Sequence, residues 1–329
     1  MYQPETYAIA LLFTIITMIC WGSWANTLKL CPKFRFQLFY WDYAVGLVLA
    51  ALAWGFTLGS HGSAGVPLLA NLSQADWSHI GLAILGGITF NIANLVLVAA
   101  INLSGLAVAF PVGIGLALVV GAVSSYCIAP RGNPLMLFGG ILLVVAAIVC
   151  DASAYGVREG GQGARSRRGL ILSIFAGLLM GMFYPFVSRS MSGEAALSPY
   201  ASTLIFTIGV FLSTIPVNAW LMRRPLDGDQ PVAMKEYFAA PCIWHLWGIL
   251  GGLIWCTGSM LNFVASRTAI VGPATSYSIG QGATMVSAFW GVFVWREFSG
   301  APALAKKLVA AMFALFIAGL MLVALSPLF

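Results

Sequence analysis

The chain has 329 residues, of which Lys and Arg number 16 and Asp and Glu 10, so that 8% of the side chains are charged and 60% of the residues are hydrophobic. The mean hydropathy is +0.93, whereas a soluble domain carries about 25% charged residues. A water-soluble globule could not cover that much apolar surface. This excludes a soluble enzyme, a nucleic-acid-binding module and a disordered chain, and leaves an all-α, multi-pass membrane protein whose solvent is largely lipid.

A membrane-crossing helix needs about 20 apolar residues. Ten runs of that size are predicted, at residues 7–28, 38–59, 79–101, 105–128, 134–153, 169–188, 199–221, 243–266, 273–295 and 306–326. They are continuously apolar, without the alternation of a β-barrel strand. The first run follows MYQPETYAIALLF, with no basic segment before it and no small-residue cleavage site after it. It therefore reads as the first membrane helix and not as a signal peptide.

Run one carries Trp21 and Trp24 deep inside, where their rings could stack on a sugar ring or a planar heterocycle or simply pack. Run two carries Asp42 a few residues inside its start. An ionisable group in lipid is expensive, so Asp42 is either a proton-coupling carboxylate or an interfacial anchor paired with Lys33 or Arg35. Near the centre of run three, Asn91 and Asn94 share a helix face at i, i+3. Each amide offers two donors and an acceptor, suited to sugar hydroxyls or a ureide carbonyl, and equally to bonds that only join helices. Run four has Pro111 near its start, and run five ends near Asp151, with Arg158 a short loop away as its expected partner.

In the second half, Tyr184-Pro185 occupies in run six the place of the run-one tryptophans. Ser259 and Asn262 stand at i, i+3 in run eight, and Tyr277 and Gln281 at i, i+4 in run nine, after Pro273. Glu297 adjoins Arg296 and reads as a salt-bridged structural residue. Six scattered cysteines and three distant histidines form no CxxC and no HxxxH, so neither a disulfide framework nor a metal site is expected.

Charge orients the helices. With the N-terminus outside, the inner loops hold thirteen basic residues: Lys29, Lys33, Arg35, Arg158, Arg165, Arg167, Arg168, Arg223, Arg224, Lys235, Arg296, Lys306 and Lys307. The outer loops hold three: Arg131, Arg189 and Arg267. This is a strong positive-inside pattern, and it puts both termini extracytoplasmic. The halves also align at an offset of 165 residues, with LGG at 85–87 and at 250–252. Five helices per half is an odd number, so the second half is inverted relative to the first, the plan of many secondary transporters. The predicted units are a first repeat at 1–153, a basic cytoplasmic linker at 154–168 and a second repeat at 169–329.

With this plan in view, GGITFNIANLVLVAAINLSGLAVAFPVGIGLALVVG (86–121), RRGLILSIFAGLLMG (167–181), HLWGILGGLIWCTGSMLNFVAS (245–266) and GVFVWREFSGA (291–301) resemble the drug/metabolite transporter superfamily. Within it the chain is similar to the L-rhamnose–proton symporters and their glucose/ribose-porter relatives. The plant-type ureide permeases share the plan and an Asp-Tyr pair near the start of helix two, here Asp42-Tyr43. The resemblance implies a secondary transporter of the cell (inner) membrane, working by alternating access as a monomer or homodimer. Its expected solute is a sugar imported with protons, the alternatives being a ureide or nucleobase, or export of a metabolite or drug. No nucleotide-binding motif and no catalytic set of an intramembrane enzyme is present in the sequence. No cofactor is expected beyond the coupling ion, H⁺ with Na⁺ as the alternative. The expected substrate contacts are Trp21, Trp24, Asn91, Asn94, Ser259, Asn262, Tyr277 and Gln281, with Asp42 as the coupling group.

Overall fold

The structure, a computed structural model, describes residues 1–158, 166–268 and 271–329. Arg165 and the linker positions 159–165 lie outside the described residues. Among the described residues the regular structure is helical throughout, with nine helices long and apolar enough to cross a membrane. The longest elements are α1 (Tyr7–Ser23), α3 (Phe36–Phe56), α5 (Trp77–Ser104), α6 (Leu106–Ile128), α7 (Pro134–Arg158), α8 (Arg167–Ser190), α9 (Pro199–Arg223), α11 (Cys242–Ser266) and α14 (Ala303–Leu325). Short helices α2 (Asn26–Lys29), α4 (Leu68–Gln74) and α10 (Met234–Phe238) lie between them. Around the predicted linker, α7 continues to Arg158 and α8 begins at Arg167.

The predicted run 273–295 is not one helix. It divides into α12 (Gly272–Gly280), α13 (Ala283–Phe289) and a wider turn of π-helix, Trp290–Val294. The interruption falls at Gln281-Gly282, where the Gly282 N–H donates to the Ile279 carbonyl three residues back, at 2.9 Å. Apolar composition cannot register such a tightening, because it breaks the hydrogen-bond ladder without changing the side chains.

Contacts sort the loops into two ends. At one end the Met1 amino group donates to the Ala64 carbonyl at 2.7 Å, and the Asn133 N–H to the Ser326 carbonyl at 2.7 Å. The Tyr7 hydroxyl donates there to the Ala324 carbonyl, so both termini share this end. At the other end Lys29 meets Glu297 at 2.5 Å and Arg35 meets Asp229 at 3.0 Å. Arg267, just after α11, lines a cavity with Met1 at the terminal end, while Glu297 sits with Lys29 at the basic end. The interrupted run 272–294 therefore carries the chain from one end of the bundle to the other.

The packing is reciprocal. Helix α5 lies along α8 and α9, and α6 along α8; α11 lies along α1 and α3, and α12–α13 along α1. Helix α3 also packs on α9, and α7 on α14. Exchanging α1 with α8, α3 with α9, α5 with α11, α6 with α12–α13 and α7 with α14 maps each of these packings onto another or, for α3–α9 and α7–α14, onto itself. Small residues set the closest crossings, since helices in lipid gain by close backbone approach rather than by expelling water. A Cβ on Gly252 would collide with the Tyr43 carbonyl of α3, and one on Gly87 with the Phe206 carbonyl of α9. Both glycines belong to the repeated LGG.

Candidate functional site

Six of the eight expected substrate contacts, Trp21, Trp24, Asn94, Ser259, Asn262 and Tyr277, lie in two adjoining groups within the bundle. Trp21 on α1 donates from Nε1 to the Ser259 hydroxyl at 2.9 Å, and its ring stacks on Trp255 with centroids 5.8 Å apart. Asn262, one turn beyond Ser259, donates to the Ser276 carbonyl at 2.9 Å and accepts from the Tyr184 hydroxyl at 2.6 Å. Tyr184 packs on Tyr277 at 4.6 Å, and the Tyr277 hydroxyl donates to the Ala117 carbonyl at 3.2 Å. The Asn262 amide, Tyr184 and Tyr277 thus form a polar joint between α8, α11 and α12 whose groups are already partnered.

A second group is joined to the first through Trp255. That ring lies 4.3 Å from Phe90 on α5, and Asn94, one turn along the same face, donates to the Tyr40 hydroxyl at 3.3 Å. Tyr40 stacks on Tyr43 at 5.2 Å, and Tyr43 meets Trp24 at 4.7 Å. Trp24 is one turn from Trp21, so the contacts close on themselves through α11, α5, α3 and α1. On this circuit the Tyr43 hydroxyl is buried and has no hydrogen-bond partner. A buried polar atom without a partner costs about 1–3 kcal/mol. Sequence reasoning did not single out Tyr43, Phe90 or Trp255 as contacts. The one available signal was the Asp42-Tyr43 pair.

Asn91 is placed differently from its neighbour. Its amide donates to the Ser213 hydroxyl at 2.8 Å and accepts from the Thr214 hydroxyl at 3.2 Å, so it bridges α5 to α9 instead of facing the circuit. The three-residue step turns the two amides toward different neighbouring helices, Asn91 toward α9 and Asn94 toward α3. Gln281 stands at the break between α12 and α13, where its N–H donates to the Tyr277 carbonyl at 3.1 Å.

Asp42 pairs with neither Lys33 nor Arg35. Its Oδ1 accepts from the Tyr237 hydroxyl at 2.6 Å, and its Oδ2 stands 2.8 Å from His245 Nδ1. Arg35 is drawn off by Asp229, which leaves the carboxylate to partners on α10 and α11. Burial, then the hydrogen bond to Asp42 and that carboxylate's charge, hold the Tyr237 hydroxyl above the ordinary phenol range, so it keeps its proton and donates. Nor does Asp151 receive Arg158: Asp151 is buried with Oδ1 unpartnered, while Arg158 reaches Glu297 at 3.5 Å. Among the described residues no group of three or more His, Cys, Asp or Glu stands together to hold a metal ion.

The ureide permease family model matches residues 39–159 and 161–326. The chain belongs to the ureide permease family. Among curated proteins it is 23% identical to ureide permease 4 of Arabidopsis thaliana, over 97% of each chain. It is 23% identical to ureide permease 1 of the same plant over 96% of each. It is also 23% identical to the glucose uptake protein GlcU of Bacillus subtilis (strain 168), over 66% of this chain and 69% of that one. One solved crystal structure, 16% identical, covers 96% of both chains with a TM-score of 0.64, a likeness of fold. The chain is therefore a multi-pass membrane transporter of the permease type and not an enzyme. Its partners are a small solute and the lipid around it.

Proposed function

We propose that this permease imports a small, neutral, ring-shaped solute rich in hydrogen-bonding groups, a cyclic ureide or nucleobase, across the cell (inner) membrane together with protons. The observation that carries the reading is the orphaned Tyr43 hydroxyl on the circuit of Trp21, Trp24, Tyr40, Phe90, Asn94 and Trp255. Flat rings offer both faces of a heterocycle a stacking partner, and one free hydroxyl fixes its orientation. The family match over both halves supports a ureide. A sugar is the second reading, favoured by the likeness to a glucose uptake protein over two-thirds of the chain, since sugars also stack on tryptophan.

The reciprocal packing supports two inverted five-helix repeats, with the interrupted run as the tenth crossing and the solute taken near the midplane between the halves. The clustering of basic residues at one end supports both termini lying outside. Asp42, with His245, is the proton-coupling group, because a carboxylate and an imidazole 2.8 Å apart can exchange a proton without a bare charge crossing the lipid. The test is thermal stability of the purified protein against allantoin, uracil, glucose and rhamnose. A ligand that binds the native state raises the melting temperature by mass action. A rise with allantoin or uracil that exceeds the rise with either sugar supports the ureide reading. The reverse order would transfer the site to sugars.

A further inference from the structure

The geometry points to Glu297 as an ionic latch that shuts the basic end of the solute path, with the cavity beside it as the vestibule through which solute passes when the latch opens. This rests on the permease reading above. Glu297 follows the π-helical end of the interrupted crossing, after Arg296, which adopts a left-handed backbone with φ of 53°. A non-glycine residue is costly there, and the turn aims the next side chain back into the bundle. The Glu297 carboxylate meets Lys29 of α2 at 2.5 Å, accepts from the Tyr155 hydroxyl of α7 at 2.7 Å and stands 3.5 Å from Arg158. One side chain of the second half thus ties two separate elements of the first.

Two indole donors reinforce the closure: Trp295 Nε1 donates to Asn26 Oδ1 at 2.6 Å, and Trp290 Nε1 to the Ser23 hydroxyl at 2.9 Å. Beside these contacts lies a partly open cavity of about 490 Å³ whose walls include Asn26, Lys29, Tyr155, Arg158, Ser287 and Glu297. That is large enough for a small solute, since ligand pockets run from about 300 to 1,000 Å³. The corresponding corner at the terminal end, at Gly132-Asn133, is held differently, by the Asn133 N–H on the Ser326 carbonyl at 2.7 Å. Burial alone would raise the Glu297 carboxyl, but Lys29, Tyr155 and Arg158 together hold it below the ordinary range. It therefore stays ionised near neutral pH, which suits a latch broken by motion and not by protonation.

The test is site-directed labelling. Thr284 on α13 is buried one turn deeper than Ser287. Thr284→Cys, in a background whose native cysteines are replaced, is exposed to a membrane-impermeant maleimide from each side of sealed vesicles in turn. Glu297→Gln, which keeps the shape and removes the charge, should raise the labelling rate by about tenfold from the basic side and leave the terminal side unchanged. Lys29→Gln should act in the same direction, and it carries the test if Glu297→Gln does not fold. An unchanged rate in a well-folded variant, or a rise from the terminal side only, overturns the latch. Labelling needs no solute, so its failure leaves the ureide reading standing, and failure of the ureide reading leaves the latch testable.

Discussion

Asp42 on α3 and His245 on α11 stand 2.8 Å apart, carboxylate against imidazole, across one of the tightest helix crossings in the bundle. Gly248, one turn along α11 from His245, makes this possible, because a Cβ there would press into Asp42 Cβ at 2.5 Å. Asp42 is 4% exposed, whereas the imidazole retains partial exposure toward the basic end. The pair thus joins a buried acid to a group that reaches water. It also adjoins Tyr43, whose free hydroxyl lies on the proposed solute circuit, so the proposed proton and solute sites are consecutive residues of one helix.

Replacing Asp42 by Asn should separate exchange from accumulation. Asparagine fills the same space but carries no exchangeable charge. Counterflow of labelled solute should persist, and uptake driven by a pH gradient should be lost, with the pH dependence of solute binding abolished through linkage. Accumulation by Asp42→Asn at the wild-type level would remove the pair from the mechanism.

Tyr43→Phe should split affinity from stability. The hydroxyl has no partner in the chain, so deleting it removes no internal hydrogen bond and should leave the melting temperature equal or higher. Solute affinity should fall by about tenfold, the worth of one buried hydrogen bond to a ligand. Titration calorimetry on the variant checks both the fold-change and the intact fold.

Asn91→Ala should do the opposite. It removes a bridge between α5 and α9, where an interhelical bond is worth roughly 0.6 to 1.7 kcal/mol, while the Ser213 and Thr214 hydroxyls keep their bonds to carbonyls of α9. The melting temperature should drop while solute affinity holds. A large loss of affinity at unchanged stability would return Asn91 to the solute site.

Much of this arrangement was legible in the sequence, and what was not has identifiable causes. Apolar runs located the nine long helices because lipid demands length and continuity, which composition records. The two LGG stretches end in Gly87 and Gly252, which sit where a Cβ has no room. The interruption at Gln281-Gly282 was hidden, since it alters hydrogen bonding and not hydropathy. Trp21, Ser259, Asn262 and Tyr277 lie together through the bond of Trp21 to Ser259, the bond of Tyr184 to Asn262 and the packing of Tyr184 on Tyr277. Partner choice was the illegible part. Asp42 with His245 and Glu297 with Lys29 are contacts across about 200 residues or more, and helical spacing speaks only of neighbours three and four positions away.

The Glu297 latch gives a pH prediction with a definite sign. Its carboxyl is held below the unfolded value, so its stabilising contribution is complete above the ordinary glutamate range and is lost as pH falls through the lower folded value. The difference in melting temperature between wild type and Glu297→Gln should be flat between about pH 5 and 8 and close only in stronger acid. A difference that already shrinks from pH 8 to pH 6 would contradict an ionised latch.

The central claim, proton-driven movement of a ureide-like ring through this bundle, is tested most directly by uptake in proteoliposomes. Wild-type protein is reconstituted and given radiolabelled allantoin or uracil with an acid-outside pH gradient. The account predicts accumulation above the external concentration, collapse of that accumulation when a protonophore is added, and little competition from excess glucose. Accumulation that ignores the gradient, or that follows glucose and not the ureide, would contradict it.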